Sequence, residues 1–335
     1  MNASTGKPAT NAALRHQKPW AVVLAGGDGT RMRSLVQRIH PDGRPKQFAA
    51  VFGSRSLLRE TLDRVGVLIP AERTVIVGNR AHERYLAEEL SDGPGRTVLL
   101  QPGNRGTAAG ILFPLHWIVQ RDEQAVVAIF PSDHFIVGNH AFMAHVSQTM
   151  AFAEASPGQF LLVGAPPSRP EPDLGWVETG PPVGATASGP ICTVVRFREK
   201  PAPEEARIFF QNGFLWNTFV VVGRAATIVR AGWDLAPGIS ERADLAARAV
   251  AEGNTGALEA AYADLPDADF SRSILERCPE RLVISRLPDR IWSDWGTPDR
   301  VVQSLTDARL PVPPVLRDDP PRSPDATPPA AAIAV

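Results

Sequence analysis

The stretch WAVVLAGGDGTR (residues 20–31) is an apolar run that breaks abruptly into glycines. Trp20 to Ala25 read as a buried strand, and Gly26-Gly27-Asp28-Gly29-Thr30-Arg31 as a turn at its carboxyl end. Glycines at such a place let backbone N–H groups approach a phosphate, and Arg31 adds a donor for charge-assisted hydrogen bonds. No G-K-[ST] follows, so this is not a Walker A loop. Met32 stands where the third glycine of a dinucleotide fingerprint would fall. From these residues alone the stretch reads equally as a phosphate loop and as an ordinary strand-to-turn glycine cluster.

Working outward, short apolar runs alternate with helical patterns. TVIVG (74–78), TVLLQ (97–101), AVVAIF (125–130) and QFLLVG (159–164) predict strands. Residues 56–65, 81–90, 106–120 and 140–155 have helical spacing, with Pro114 inside the third. This alternation predicts right-handed βαβ units and an α/β fold with a mostly parallel sheet and helices on both faces. After residue 165 the pattern changes. GWVETG, ICTVVRFREKP and FLWNTFVVVG read as strands of an added β region and of the sheet's remainder. Helices over 224–233, 241–252 and 256–263 and a strand over 281–288 complete the expected body, residues 19–309. Residues 1–18 are polar and aperiodic, and 310–335 are dense in proline, so both ends are expected to be disordered.

Composition narrows the function classes. The 335 residues carry 35 Lys and Arg against 36 Asp and Glu, a net charge of −1, which argues against a nucleic-acid or anionic-membrane binder. Two cysteines, Cys192 and Cys278, exclude a disulfide scaffold and a cysteine-based zinc site. No apolar run approaches a membrane span, and the first twenty residues lack the apolar segment of a secretory signal. A cytoplasmic globular protein is expected.

Several short stretches could carry chemistry. Only four of the basic residues are lysines, so Lys46 in RPKQF (44–48) and Lys200 in FREKP (197–201) raise the question of why a compact point charge is kept. By itself Lys46 reads as a solvated loop lysine. Asp133, in FPSDH (130–134), ends a predicted strand, where ligands of open parallel sheets bind. The position favours Mg²⁺ over a helix cap, and His134 reads as structural. Glu199 and Lys200 point to opposite faces unless the strand ends there, which Pro201 implies. Asn217 in LWNTF and Asp294 in IWSDWGT are uninformative singly.

Together these residues resemble the sugar-1-phosphate nucleotidyltransferases, most closely the mannose-1-phosphate guanylyltransferases, over about 20–305. AGGDGTR with PKQF is similar to the family's signature, QPGNRGTAAG (101–110) to its E-P-x-x-R-N-T-A segment, and FPSDH to its metal-Asp motif. DLGWVE (173–178) resembles G-Y-I-E, FREKP the E-K-P element, and WNTF and WSDWG the W-N-S-G and W-S-D-x-G elements. The resemblance implies a Rossmann-like fold of the nucleotide-diphospho-sugar transferase type. It also implies transfer of a nucleotide from an NTP to a sugar 1-phosphate, with mannose 1-phosphate and GTP as the expected pair. It puts Gly26, Gly27, Gly29, Thr30 and Arg31 on nucleotide phosphates, Lys46 beside them, and Asn104, Arg105 and Thr107 near base or ribose. Asp133 and Asp294 would hold Mg²⁺. Gly175, Glu178, Glu199 and Asn217 would hold the sugar, and Lys200 its phosphate. Arg31, Lys46, Asp133 and Lys200 are the expected catalytic set, and a homodimer is compatible with it. The chain departs from the family at Gln101, usually Glu; at Gly106, usually Asn; and at Phe219, usually Gly. Glucose 1-phosphate with UTP or dTTP, and a non-catalytic nucleotide-sugar-binding regulator, are the rival readings.

Overall fold

The computed structural model describes residues 18–288 and 292–317. The strands are β1 (Trp20–Leu24), β2 (Thr74–Asn79), β3 (Thr97–Gln101), β4 (Val126–Pro131), β5 (Phe135–Ile136), β6 (Phe160–Ala165), β7 (Gly175–Thr186), β8 (Gly189–Glu199), β9 (Leu215–Arg224), β10 (Leu282–Arg286) and β11 (Trp292–Ser293). The helices are α1 (Arg33–Ile39), α2 (Leu57–Gly66), α3 (Glu83–Leu90), α4 (Gly106–Val119), α5 (Asn139–Ala155), α6 (Pro203–Gln211), α7 (Ala225–Leu235), α8 (Pro237–Ala251), α9 (Thr255–Ala263), α10 (Phe270–Ser273), α11 (Pro298–Asp307) and α12 (Pro314–Arg317).

Among the described residues, nine strands form one mixed sheet in the order β3-β2-β1-β4-β9-β6-β10-β8-β7. β3, β2, β1 and β4 are mutually parallel, as are β6 and β10, and β9 enters antiparallel between β4 and β6. The hairpin β7–β8 supplies the added β region, and β7 also pairs with β9. Alternation along β1 shows how the sheet divides the core. Trp20 and Val22 join a cluster with Ile111 and Leu112 of α4 and Ile228 of α7. Ala21 and Val23 join a second cluster with Leu58 and Leu62 of α2 and Phe142 of α5. Successive side chains of a strand point to opposite faces, so a strand buried on both faces needs helices on both sides.

Two features depart from the sequence reading. The two-stranded ribbon of β5 and β11 is too short for a periodic signal. It pairs Ser293 with Phe135 and Trp292 with Ile136, and so carries Asp294 to the end of β4. The order also extends past residue 309. Leu310, Val312 and Val315 pack on a third cluster containing Met32, Leu35, Trp295, Val301 and Leu305, and Leu316 is 3% exposed within it. The helical turn α12 starts on Pro314, and the first helical position tolerates proline because its missing N–H has no intrahelical partner. Proline density alone therefore misjudged residues 310–317. The expected disorder of residues 1–17 and 318–335 falls outside the described residues.

Candidate active site

A cavity of about 280 Å³ opens beyond the carboxyl ends of β1 and β4, where β9 and the start of β7 face them. Gly27, Gly29 and Arg31 border it on one side, Glu199, Lys200 and Asn217 on the other, and Asp133 and Asp294 lie between. Gly27 and Lys200, far apart in the sequence, thus meet at one site.

The glycines of the first loop are there for different reasons. Gly29 has φ +58°, and a Cβ on it would come within 2.9 Å of the Lys46 backbone nitrogen. A Cβ on Gly26 would meet the Gln101 side chain at 2.9 Å. Gln101 is itself buried and accepts from the Tyr262 hydroxyl at 3.3 Å. A Cβ on Gly27 would meet no protein atom within 4 Å, so packing does not demand that glycine. Its carbonyl accepts from Gln47 Nε2 at 2.7 Å, which fixes the loop while its α-carbon faces the cavity. Gly26 and Thr30 belong to the same loop but are not among the residues bordering the cavity.

Lys46 departs most from expectation. It is 3% exposed, not solvated. Its ammonium bonds the Asp133 carboxylate at 2.9 Å and donates to the backbone carbonyls of Asp294 at 2.8 Å and Trp295 at 3.1 Å. An ammonium has three donors, and all three are used here. Lys46 therefore ties the β4 end to the β11 loop and sets Asp133. Burial works to raise the Asp133 pKa, but Lys46, helped by His134 and Arg31, holds the carboxyl below its ordinary range. The His134 imidazole is pushed down to about 4 by burial, so it is neutral. Trp292 Nε1 donates to its Nδ1 at 3.1 Å, which assigns the ring proton to Nε2.

Asp294 is 8% exposed and is held by a residue outside every motif. Arg300 of α11 donates to Asp294 Oδ2 at 2.6 Å, and the same guanidinium bonds both oxygens of Glu171, at 2.6 and 3.2 Å. Burial again opposes ionisation, and Arg300, then Lys46, keep the Asp294 carboxyl below its ordinary range. Arg31 reaches across the cavity mouth to Asp173 at 3.2 Å and lies 3.9 Å from Asp294. Asp133 and Asp294 thus border one cavity as two ionised carboxylates. Among the described residues no group of three or more His, Cys, Asp or Glu side chains could hold a metal by itself.

On the far side, a Cβ on Gly175 would meet Glu199 Oε2 at 2.7 Å and Asn217 Cβ at 3.2 Å, so glycine lets those two side chains close on β7. Burial, and then the nearby Asp269, push the Glu199 carboxyl up against the opposing pull of Lys200, whose ammonium is 3.3 Å away. Lys200 has φ +47°, an uncommon conformation for a side-chain-bearing residue, and half its side chain is exposed. The nucleotide-side assignments divide. Thr107 borders the cavity and accepts from the Phe270 backbone N–H at 2.8 Å. Asn104 bonds Asp28 at 3.1 Å and Arg105 the Ala263 carbonyl at 3.4 Å, both outside the cavity lining. Glu178 is not brought to the site either. It lies on β7 three residues after Gly175, its carboxylate paired with Arg196 at 3.0 Å.

Gly106 has a structural reason of its own. At φ +76°, any Cβ would fall 2.3 Å from the Ala268 carbonyl oxygen. Glycine lets residues 267–269 dock on the start of α4, where Ala108 N–H bonds Ala268 O at 3.0 Å, and Asp269 reaches the cavity. Asp173, Asp269 and Arg300 carried no signal as site residues, since their partners are remote in sequence or not sugar-like in pattern.

Known proteins resemble the chain in sequence and in fold. The Nucleotidyl transferase family model matches residues 20–309. A mannose-1-phosphate guanylyltransferase of Escherichia coli is 27% identical over 281 residues, covering 82% of this chain and 58% of the relative. The xanthan biosynthesis protein XanB of Xanthomonas campestris pv. campestris (strain B100) is 29% identical, covering 82% and 57%. The chain therefore spans under three fifths of the length of these curated relatives. Among solved structures, the mannose-1-phosphate geranyltransferase of Thermus thermophilus superposes with TM-score 0.68 at 29% identity, covering 84% of this chain and 77% of its own. The mannose-6-phosphate isomerase of Helicobacter pylori, at 23% identity and TM-score 0.63, covers 83% of this chain and 100% of its own, and shares the fold. No helix among the described residues is long and apolar enough to cross a membrane. With a nucleotidyl transferase match over nearly all of its folded body, and a cavity in which a glycine loop faces two carboxylates and a Glu-Lys-Asn cluster, the chain belongs to the nucleotidyl transferase family.

Proposed function

We propose that this protein transfers GMP from GTP to mannose 1-phosphate, giving GDP-mannose and pyrophosphate. The observation that carries this reading is the cavity itself. A loop with one glycine that packing does not require stands opposite Glu199, Lys200 and Asn217, with Asp133 and Asp294 between. The choice of mannose and guanine rests on the relatives' names.

The sugar phosphate is already an anion at neutral pH, so the attack needs no general base. A phosphate oxygen of the sugar phosphate forms a bond to the α-phosphorus, and the bond from that phosphorus to the β-phosphate oxygen breaks, with pyrophosphate leaving in line. The protein's task is alignment and charge compensation. In this reading Gly27 and Gly29 present loop backbone to the phosphates, Gly26 and Thr30 shape the loop from outside the cavity, and Arg31 exchanges Asp173 for the phosphates. Thr107 faces the ribose, with Asn104 and Arg105 flanking the base from outside the cavity. Gly175, Glu199 and Asn217 receive the sugar, and Lys200 its phosphate. Lys46 acts as a positioning residue, because its three donors are occupied.

Asp133 and Asp294 fit Mg²⁺, which takes oxygen ligands and is commonly held by one or two carboxylates together with substrate phosphates. Bound there, the ion would supply positive charge to the reacting phosphates. Lys46 and Arg300 keep both carboxylates ionised for it. The protein is read as a cytoplasmic enzyme acting on small molecules.

The test is pyrophosphate release with four NTPs against mannose, glucose and N-acetylglucosamine 1-phosphates, with and without Mg²⁺. GTP with mannose 1-phosphate should dominate and should require the metal. Preference for glucose 1-phosphate with UTP or dTTP would move the assignment within the family. Binding of nucleotide-sugar without turnover would overturn catalysis.

A further inference from the structure

We infer that Phe219 sets the size limit of the sugar end of the cavity, a deepening that rests on the proposed activity. Phe219 has φ +60°, in the left-handed region where glycine is at ease and a bulky residue is a genuine outlier. The strain arises in a bulge. Along the β6–β9 pair, Leu162 faces Val221 but Gly164 faces Asn217, so β9 carries two more residues than β6 over this step. Bulges of this kind re-aim side chains beside functional sites. Here the bulge is pinned from both sides. Thr218 Oγ1 donates to the Val163 carbonyl at 2.6 Å, and the Phe219 N–H donates to Asn217 Oδ1 at 3.1 Å. The second bond occupies the Asn217 amide oxygen within the bulge.

A bulge needing positive φ is most cheaply built with glycine, yet this chain places phenylalanine there. Core packing does not account for it fully. Phe219 is only partly buried: one side packs on the first core cluster and meets Phe270 edge-on at a centroid distance of 6.5 Å, and it also borders the cavity together with Asn217, Glu199 and Asp269. Residues held in sparsely populated backbone regions persist where the surroundings over-determine them, typically at ligand sites. The side chain therefore occupies room that glycine would leave open next to the sugar-binding groups. The expected consequence is acceptance of an unsubstituted hexose 1-phosphate and exclusion of one bearing a bulky substituent such as an N-acetyl group.

The experiment compares wild type, Phe219→Gly and Phe219→Ala, measuring thermal midpoint and kcat/KM for mannose 1-phosphate and N-acetylglucosamine 1-phosphate with GTP. Both variants should lower the mannose-to-N-acetylglucosamine selectivity ratio by about tenfold or more, since room for a few extra carbon atoms changes discrimination on that scale. KM for GTP should stay unchanged. Both variants lose the packing of the ring on the core, but Phe219→Gly should melt above Phe219→Ala, because only glycine relieves the strain. A wild-type enzyme that is active, with the ratio unchanged in both variants, overturns this inference alone. A Phe219→Gly protein that melts below Phe219→Ala shows that the backbone there is not strained and also overturns it. Wild-type inactivity with every sugar phosphate overturns the functional reading, and this inference with it.

Discussion

Replacing Lys46 with methionine tests the organisation of the site without reference to any ligand. The substitution keeps an unbranched apolar stem in a pocket that leaves Lys46 3% exposed, but removes three donors. Two backbone carbonyls, of Asp294 and Trp295, lose the partners they have at 2.8 and 3.1 Å. A buried polar group left unsatisfied costs about 1–3 kcal/mol. The lost pair with Asp133 adds little, about 0–1 kcal/mol, because that carboxylate is 37% exposed and solvent screens it. The total is about 2–7 kcal/mol, or roughly 3–11 °C in thermal midpoint for a chain of this size. The pH dependence has a definite sign. In the wild type the Asp133 pKa lies below its ordinary value, so its contribution is present above the unfolded pKa and lost as pH falls through the folded one. Without Lys46 the main downward pull disappears and the Asp133 pKa moves back up, so the variant lacks this contribution, which is small because the carboxylate is 37% exposed. Scanning calorimetry of both proteins from pH 7 to below the ordinary carboxylate range should show the gap in midpoint narrowing slightly at the acid end. An unchanged midpoint at pH 7, or a gap that widens toward acid, would refute the reasoning. Lys46→Arg should not restore the wild-type midpoint, because a planar guanidinium does not fit three donors at those angles.

Other tests follow from the same geometry. Asp133→Asn, which is isosteric, should keep the fold by circular dichroism yet lower Mg²⁺-dependent pyrophosphate release by orders of magnitude; near-wild-type release at limiting Mg²⁺ would remove Asp133 from the metal site. Lys200→Ala should raise KM for the sugar phosphate by roughly ten- to a hundred-fold, the worth of a charge-assisted contact, and leave KM for GTP unchanged; the opposite pattern would mean that the two substrates are exchanged. Truncation after residue 310 should lower the thermal midpoint, and Leu316→Ala alone should cost about 2–3 kcal/mol, since Leu316 is buried in the third core cluster; equal midpoints would show that residues 311–317 contribute nothing to it.

The parts of this candidate site that were legible in the sequence are those where a strand end, or a close approach of backbone, calls for an unusual residue. The glycine loop after β1, Asp133 at the end of β4 and the Glu199-Lys200 pair at the end of β8 all sit where strand ends put them, and strand ends follow from apolar runs and prolines. The misplacement of Glu178 had a remedy in the same logic. Gly175 and Glu178 are three apart on one strand, and a period of two sends them to opposite faces, so both could not line one pocket. Lys46 was different. The scarcity of lysine marked it, but its three partners are Asp133, far along the chain, and two carbonyls beyond residue 290, so nothing local distinguished a buried tie from a solvated charge. The same holds for Arg300, which joins Glu171, between β6 and β7, to Asp294, brought in by the two-stranded β5–β11 ribbon, an element too short to leave a pattern. Phe219 shows the limit most sharply. Nothing in the one-letter code reports a positive φ on phenylalanine; only the resemblance to a family with glycine there made the residue stand out. Motifs therefore mark much of the cavity's border, while the ties that hold those motifs in register are made between distant residues and become visible only when the sheet has brought them together.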